Sequence, residues 1–162
     1  MKRFFCLLLC LCLFLPGCSG ELMKNPVTFY YPRQEYRYGA EDGVISSEQR
    51  EASGHTNDLR YLLSVYLIGP SSDELVSPLP WGTRLLGVSR ENGTVTLELT
   101  DTAQSVTDTE FTLACACLTM TTLSITGGDE VVITSGSRSV TMRRDSLTLI
   151  DDSTASTTEE TK

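Results

Sequence analysis

The sequence predicts an α+β fold, a two-layer sandwich with two helices packed on one face of a mainly antiparallel sheet. Three observations predict it. Apolar residues alternate at period two in "VTFYY" and on both sides of Asn92-Gly93. They recur at helical spacing from Leu59 to Leu67 and from Phe111 to Leu118. These stretches interleave in the order strand, helix, hairpin, helix, strand (β-α-β-β-α-β), which buries every apolar face with one layer of helices.

Val27, Phe29 and Tyr31 share one face of the first strand, and "VISSEQREA" is a second extended segment able to pair back on it. Leu59, Leu62, Leu63, Tyr66 and Leu67 then form the stripe of an amphipathic helix. Thr56 or Asn57 is expected to cap its first amides, Gly69 to take a left-handed C-terminal position, and Pro70 to forbid continuation. Asn92-Gly93 sets a type I′ hairpin. Its register puts Val88 opposite Leu97 and Leu86 opposite Leu99, so that Leu86, Val88, Val95, Leu97 and Leu99 face the core. Thr94, Thr96, Glu98 and Thr100 face water with Leu85, Gly87 and Ser89.

Thr107 and Glu110 have the spacing of a capping box at the start of the second helix. Phe111, Ala114, Cys115 and Leu118 supply its buried stripe, widened by Leu113, Cys117 and Met120. Thr119, Thr121 and Thr122 weaken its intrinsic helicity, so packing must stabilise it. Gly127-Gly128 ends the helix, "EVVIT" is a buried strand, and "SGSR" turns toward "SVTMRR". The tail 151–162 lacks large apolar residues and is expected to be disordered.

The N-terminus reads as an export signal: Met1-Lys2-Arg3, an apolar run from Phe4 to Leu15 too short to span a bilayer, then small residues. Leu15-Pro16-Gly17-Cys18 resembles the lipobox of bacterial lipoproteins, which implies cleavage after residue 17 and a diacylglyceryl group on Cys18. The expected organisation is a signal peptide over 1–17, a tether over 18–25, a folded domain over 26–150 and the polar tail. The chain would lie on the extracytoplasmic face of the cell membrane, held there by the lipid.

Loss of residues 1–17 removes Lys2 and Arg3 and leaves 11 basic against 21 acidic side chains. That charge balance repels phosphate backbones, so nucleic acid is not an expected partner. Of six cysteines, Cys6, Cys10 and Cys12 go with the signal and Cys18 takes the lipid. Cys115 and Cys117, about 200° apart around a helix, should neither pair nor share a metal.

No catalytic residue, metal site or cofactor is expected. His55 is alone in a polar stretch, and no cluster of histidine and cysteine could hold zinc. Glu98 with Asp101, and Asp129 with Glu130, are carboxylate pairs of the kind that arise by chance among 21 acids. "GGDE", Gly127 to Glu130, matches the letters of a cyclase signature, but its glycines close a helix and Val131 follows. "NGT" at Asn92 is better explained by the hairpin turn than as a glycosylation acceptor.

"PLPWGT" stiffens the connector between first helix and hairpin. Its Trp81, the single tryptophan, either covers the end of the core, as most tryptophans do, or stands exposed as an anchor for a partner. Trp81, Thr94, Thr96 and Glu98 together form the candidate partner surface.

The run from Asp58 to Thr100 resembles the GerM (GerMN) domain of sporulation and spore-germination proteins. The likeness rests on Gly69-Pro70, on Leu75, Ser77, Pro80, Gly82 and Thr83, on the strand Leu85 to Val88, and on Gly93 to Leu99. It extends more weakly from Val27 to Leu149, is best over 58–136, and departs from the family pattern at Ser135-Gly136. The resemblance implies a small module akin to the ring-building motifs of secretion-like assemblies, usually carried by exported lipoproteins and without an established catalytic motif. It implies other exported sporulation or envelope proteins as partners, and self-association as a further possibility. A cell-wall-acting enzyme or glycan-binding lipoprotein, using the acidic surface, is the alternative reading.

Overall fold

The computed structural model describes residues 23–36 and 43–147. In chain order the elements are β1 (Pro26–Pro32), β2 (Ile45–Glu51), α1 (Leu59–Ile68), β3 (Leu85–Glu91), β4 (Thr94–Leu99), a 3-10 turn (Asp101–Ser105), α2 (Asp108–Thr126), β5 (Glu130–Ser135), β6 (Arg138–Arg143) and a second 3-10 turn (Arg144–Ser146). The signal, the lipobox residues Leu15, Pro16, Gly17 and Cys18, and the tail 151–162 lie outside the described residues.

The α+β class, the two helices and the mainly antiparallel pairing are as the sequence predicts. The strands, however, divide into two sheets: β1–β2, and a larger sheet in the order β3-β4-β5-β6. In the larger sheet β3–β4 and β5–β6 are antiparallel, while β4–β5 is parallel because α2 forms the crossover between them. The free edge of β1 meets a helix instead of another strand. The Tyr30 amide donates to Thr121 Oγ1 at 2.9 Å, and Ser124 Oγ donates to the Thr28 carbonyl at 3.0 Å, both on α2. Side chains thus satisfy backbone groups that would otherwise require a ladder.

Val27, Phe29 and Tyr31 are buried as the alternation predicts. Tyr31 stacks on Tyr66 with ring centroids 4.6 Å apart, and Phe29 meets Tyr66 edge-on at 6.0 Å. Leu62, Leu63 and Tyr66 are the buried part of the α1 stripe. Its N-cap is Asp58, whose Oδ1 accepts from the Tyr61 amide at 2.9 Å, one or two residues later than Thr56 or Asn57. Turns at His55 and Asp58 delay the entry into the helix. Gly69 has positive φ but extended ψ (115°, 173°), so the chain leaves α1 directly and makes no left-handed cap.

The β3–β4 register pairs Val88 with Leu97 as predicted, and both Asn92 and Gly93 have positive φ. Beyond Gly87 the register shifts: Leu85, not Leu86, lies opposite Leu99. This bulge turns Leu85 toward the core and leaves Leu86 54% exposed. Two contacts accompany it. Arg60 on α1 donates to the Leu86 carbonyl at 3.1 Å, and a Cβ at Gly87 would stand 3.0 Å from Glu98 Oε2. Val95, Leu97, Leu99, Val131 and Ile133 form the buried face of the central strands.

The capping box of α2 is present, with the Glu110 amide donating to Thr107 Oγ1 and the Thr107 amide donating to Glu110 Oε2. At the other end Gly127 is left-handed and the last turn carries no basic residue. Arg90 from β3 and Arg144 supply the charge instead, donating to the carbonyls of Thr126 at 3.0 Å and Gly128 at 2.9 Å. Phe111, Ala114, Cys115, Cys117 and Leu118 are buried, while Leu113 and Met120 are half-buried. The β5–β6 hairpin forms through the Ser135-Gly136 departure, Gly136 taking positive φ.

Candidate functional site

The connector after α1 places Trp81. The Thr83 amide and hydroxyl both donate to the Pro80 carbonyl, at 3.1 and 2.8 Å, closing a four-residue turn. Gly82, third in that turn, has a φ of 91°, the conformation a type II turn requires there. Leu79 and Thr83 are buried on either side of Pro80-Trp81-Gly82. With both flanks tied down, Trp81 is carried outward and is 97% exposed. The indole therefore does not cover the core, which is the role a lone tryptophan usually takes.

Beside it Ile68, the last residue of α1, is 82% exposed. Trp81, Ile68, Leu67, Ser64, Arg84 and Leu85 line an open groove of about 470 Å³ between the end of α1 and the start of β3. Ile68 was not part of the predicted helical stripe, and no spacing rule would have marked it. What marks it is the groove, which exists only once β3 lies against α1. Arg84 is the charged residue of the lining. Arg60 stands further up α1, and among the described residues neither guanidinium enters an ion pair.

Thr94, Thr96 and Glu98 occupy the solvent face of β4, alternating with its buried valine and leucines. None of the three lines the Trp81 groove. The structure thus splits the predicted partner surface in two. Thr94 Oγ1 donates to Glu130 Oε1 at 3.2 Å, and Glu130 lies 3.7 Å from Arg143, so this face is a cross-strand network of polar side chains.

The remaining candidates lie apart from the groove. His55 stacks on Tyr61 at 3.9 Å beside Asp58, at the entry to α1. Glu98 stands by Gly87 and Asp101 against Gly136. Burial pushes the Cys115 and Cys117 thiols up to about 12. Among the described residues no three His, Cys, Asp or Glu side chains gather to hold a metal ion, and no helix is long and apolar enough to cross a membrane. A second cavity of about 300 Å³, lined by Pro32, Tyr36, Pro78, Pro80, Glu110 and Leu113, lies where α2 begins.

A network that sequence reasoning missed joins β2 to the end of α1. Glu48 accepts from the Ser71 amide at 3.0 Å and the Ser72 amide at 3.1 Å, and is bonded to Arg50. Arg50 donates to the Gly69 carbonyl at 2.5 Å and lies over the rings of Phe29 and Tyr31. This clasp fixes the C-terminus of α1 and hence the position of Ile68.

Comparison with known proteins places this geometry. A family model described as Germane, sporulation and spore germination, matches residues 28–141. The tandem GerMN domains of the sporulation protein GerM from Bacillus subtilis are similar in structure, with a TM-score of 0.51 at 17% identity over 70% of this chain. The match covers 39% of that tandem structure, so this chain spans well under two thirds of its length. The first GerMN domain of the same protein is similar with a TM-score of 0.48 at 13% identity, over 70% of this chain and 86% of that one. None of the curated protein sequences matches significantly.

Proposed function

The chain belongs to the Germane family, sporulation and spore germination, and from that premise we propose that it is a lipid-anchored extracytoplasmic module that works by binding other exported proteins. The observation that carries this reading is the exposed indole of Trp81 beside Ile68, over a groove with no carboxylate in its lining. An aromatic side chain held in water on a tight turn and an aliphatic one at a helix end cost solvation unless a partner covers them, and such residues anchor interfaces. The groove also lacks a general acid, a general base or a nucleophile with an adjacent base, which is what hydrolysis of wall glycan would need.

Anchoring is assigned to Cys18. Metabolic labelling with an alkynyl fatty acid should mark the wild-type chain, while Cys18→Ala should lose the label and leave the membrane fraction. Binding is tested by crosslinking the intact protein in sporulating cells and identifying what is recovered with it. Repeated recovery of other exported sporulation proteins is the expected result. A chain found alone, in vegetative membranes, would remove the sporulation role and favour glycan-binding and hydrolase assays.

A further inference from the structure

The hydrogen bonds fix which end of the molecule carries the groove. β1 starts at Pro26, opposite Glu51, and the Ala52 amide donates to the Asn25 carbonyl. Two further turns lead from Ala52 to the start of α1, a helix about 15 Å long that ends at Ile68. α2 arrives from the opposite direction. Its Thr121 meets Tyr30 and its Ser124 meets Thr28, so its C-terminus lies at the beginning of β1. There the Asp129 amide donates to the Gly93 carbonyl, which brings the Asn92-Gly93 turn to the same end. The Trp81 groove begins at Leu85, the far end of β3, about 20 Å from Glu91 along the strand. Met23 and the groove therefore occupy opposite ends of the domain.

This matters for what can reach the groove. Cys18 is five residues from Met23, a span of at most about 17 Å even fully extended. A lipid on Cys18 holds the Met23 end against the bilayer and points the Trp81 end away from it. The charges at the groove are also the reverse of the molecule's own. The chain carries a formal net charge of −8, yet the charged residue of the groove lining is Arg84, and Arg60 reaches its continuation at Leu86, neither in an ion pair among the described residues, with the Glu98 carboxylate beyond them at Gly87. Two uncompensated guanidinium groups beside an indole favour carboxylates arriving together with apolar side chains.

We propose that the Trp81 groove is a membrane-distal docking site for a protein segment that presents large apolar side chains flanked by Asp or Glu. The inference rests on the anchored, protein-binding reading above and specifies the surface and the partner's chemistry. The apolar side chains lie between Trp81, Ile68 and Leu67, and the carboxylates meet Arg84 and Arg60.

The test places a photo-crosslinking amino acid at residue 68, 81 or 96 of the full-length protein in its own cells, with mass spectrometry of each adduct. Adducts at 68 and 81, on peptides holding both apolar and acidic residues, are expected. The double variant Arg60→Glu, Arg84→Glu should lower their yield about tenfold, with the circular dichroism spectrum unchanged. Adducts at 96 alone would leave the protein-binding reading standing and overturn this surface. Adducts at 68 and 81 whose yield ignores the charge reversal would overturn the acidic chemistry. Anionic lipid competes for the same groups, and the single tryptophan reports on it directly. Phosphatidylglycerol vesicles added to the chain from residue 18 with Cys18→Ser should leave Trp81 emission unshifted, and a blue shift would assign the groove to the bilayer instead.

Discussion

Tyr31 and Tyr66 are stacked neighbours with unequal polar surroundings. The Tyr31 hydroxyl donates to the Tyr66 carbonyl at 2.9 Å, a carbonyl that also accepts from the Gly69 amide. The Tyr66 hydroxyl is buried with no partner among the described residues. Tyr31→Phe should therefore cost about 1 kcal/mol, since it removes a buried hydrogen bond but leaves the acceptor one donor. Tyr66→Phe should leave stability unchanged or raise it slightly, because the hydroxyl it removes returns nothing for its desolvation. Urea midpoints of the two variants check the contrast, and a larger loss for Tyr66→Phe would contradict it. Burial is the main cause that raises both phenols above their ordinary value of 10.0. An unfolded chain ionises its phenols near 10 while the folded chain keeps these two neutral. Their contribution is thus complete below pH 10 and falls as pH rises above it. Alkaline titration of the urea midpoint should show that decline beginning near pH 10, and shallower in Tyr31→Phe. Trp81 belongs to the same scale. The sequence showed Gly82 demanding a turn, but the outward direction of the indole depends on the Thr83 bonds to Pro80 and on Leu79 being buried, which no local pattern announces.

At the scale of elements, periodicity was most reliable where one face decides everything. Val27, Phe29 and Tyr31, the α1 stripe, the Thr107–Glu110 box and the hairpin register from Asn92 back to Val88 all follow from spacing alone. The register fails at Leu86 because the bulge is stabilised by Arg60 and accommodated by Glu98, groups remote in sequence. The threonines of α2 fail for the same reason. Read locally they only weaken a helix, yet Thr121 is the acceptor for the edge of a strand 91 residues away. Thr121→Val keeps the shape and removes that acceptor. It should cost about 1–2 kcal/mol and speed hydrogen exchange at the Tyr30 amide specifically, with exchange at the β4–β5 ladder changed only through the loss of global stability. Unaltered protection at Tyr30 would mean that β1 is held by its apolar face alone. The β2 clasp gives a parallel case. Glu48→Gln withdraws the charge that two serine amides and Arg50 share, in a site 11% exposed at Glu48 and 19% at Arg50. A loss of about 2 kcal/mol is expected, less than for a fully buried pair because solvent still screens both groups.

For the whole molecule the decisive feature is that α2 is covered on more than one side. The sequence treats Cys115 and Cys117 as opposite faces of a helix, and a helix packed on a single sheet would expose one of them. Both are buried, because the β1–β2 hairpin closes the side that the larger sheet leaves open. Their neighbours overlap at Tyr66, which both thiols push up, but differ otherwise: Cys115 feels the charge of Arg138 on β6, and Cys117 also acts on Tyr31 of β1. Burial pushes both up to about 12, so near pH 8 almost no thiolate forms and the native state offers an attacking reagent neither access nor a nucleophile. Single-thiol chains that start at residue 18 and carry Cys18→Ser with either Cys115→Ala or Cys117→Ala should react with a disulfide reagent only through opening. If the two sheets and the helices between them unfold as one unit, both variants react at rates that follow their measured unfolding free energies. A Cys117 that reacts well ahead of its global unfolding, while Cys115 does not, would show instead that the β1–β2 hairpin peels away from α2 first. In that event the clasp on α1, and with it the position of Ile68, would loosen before the rest of the domain.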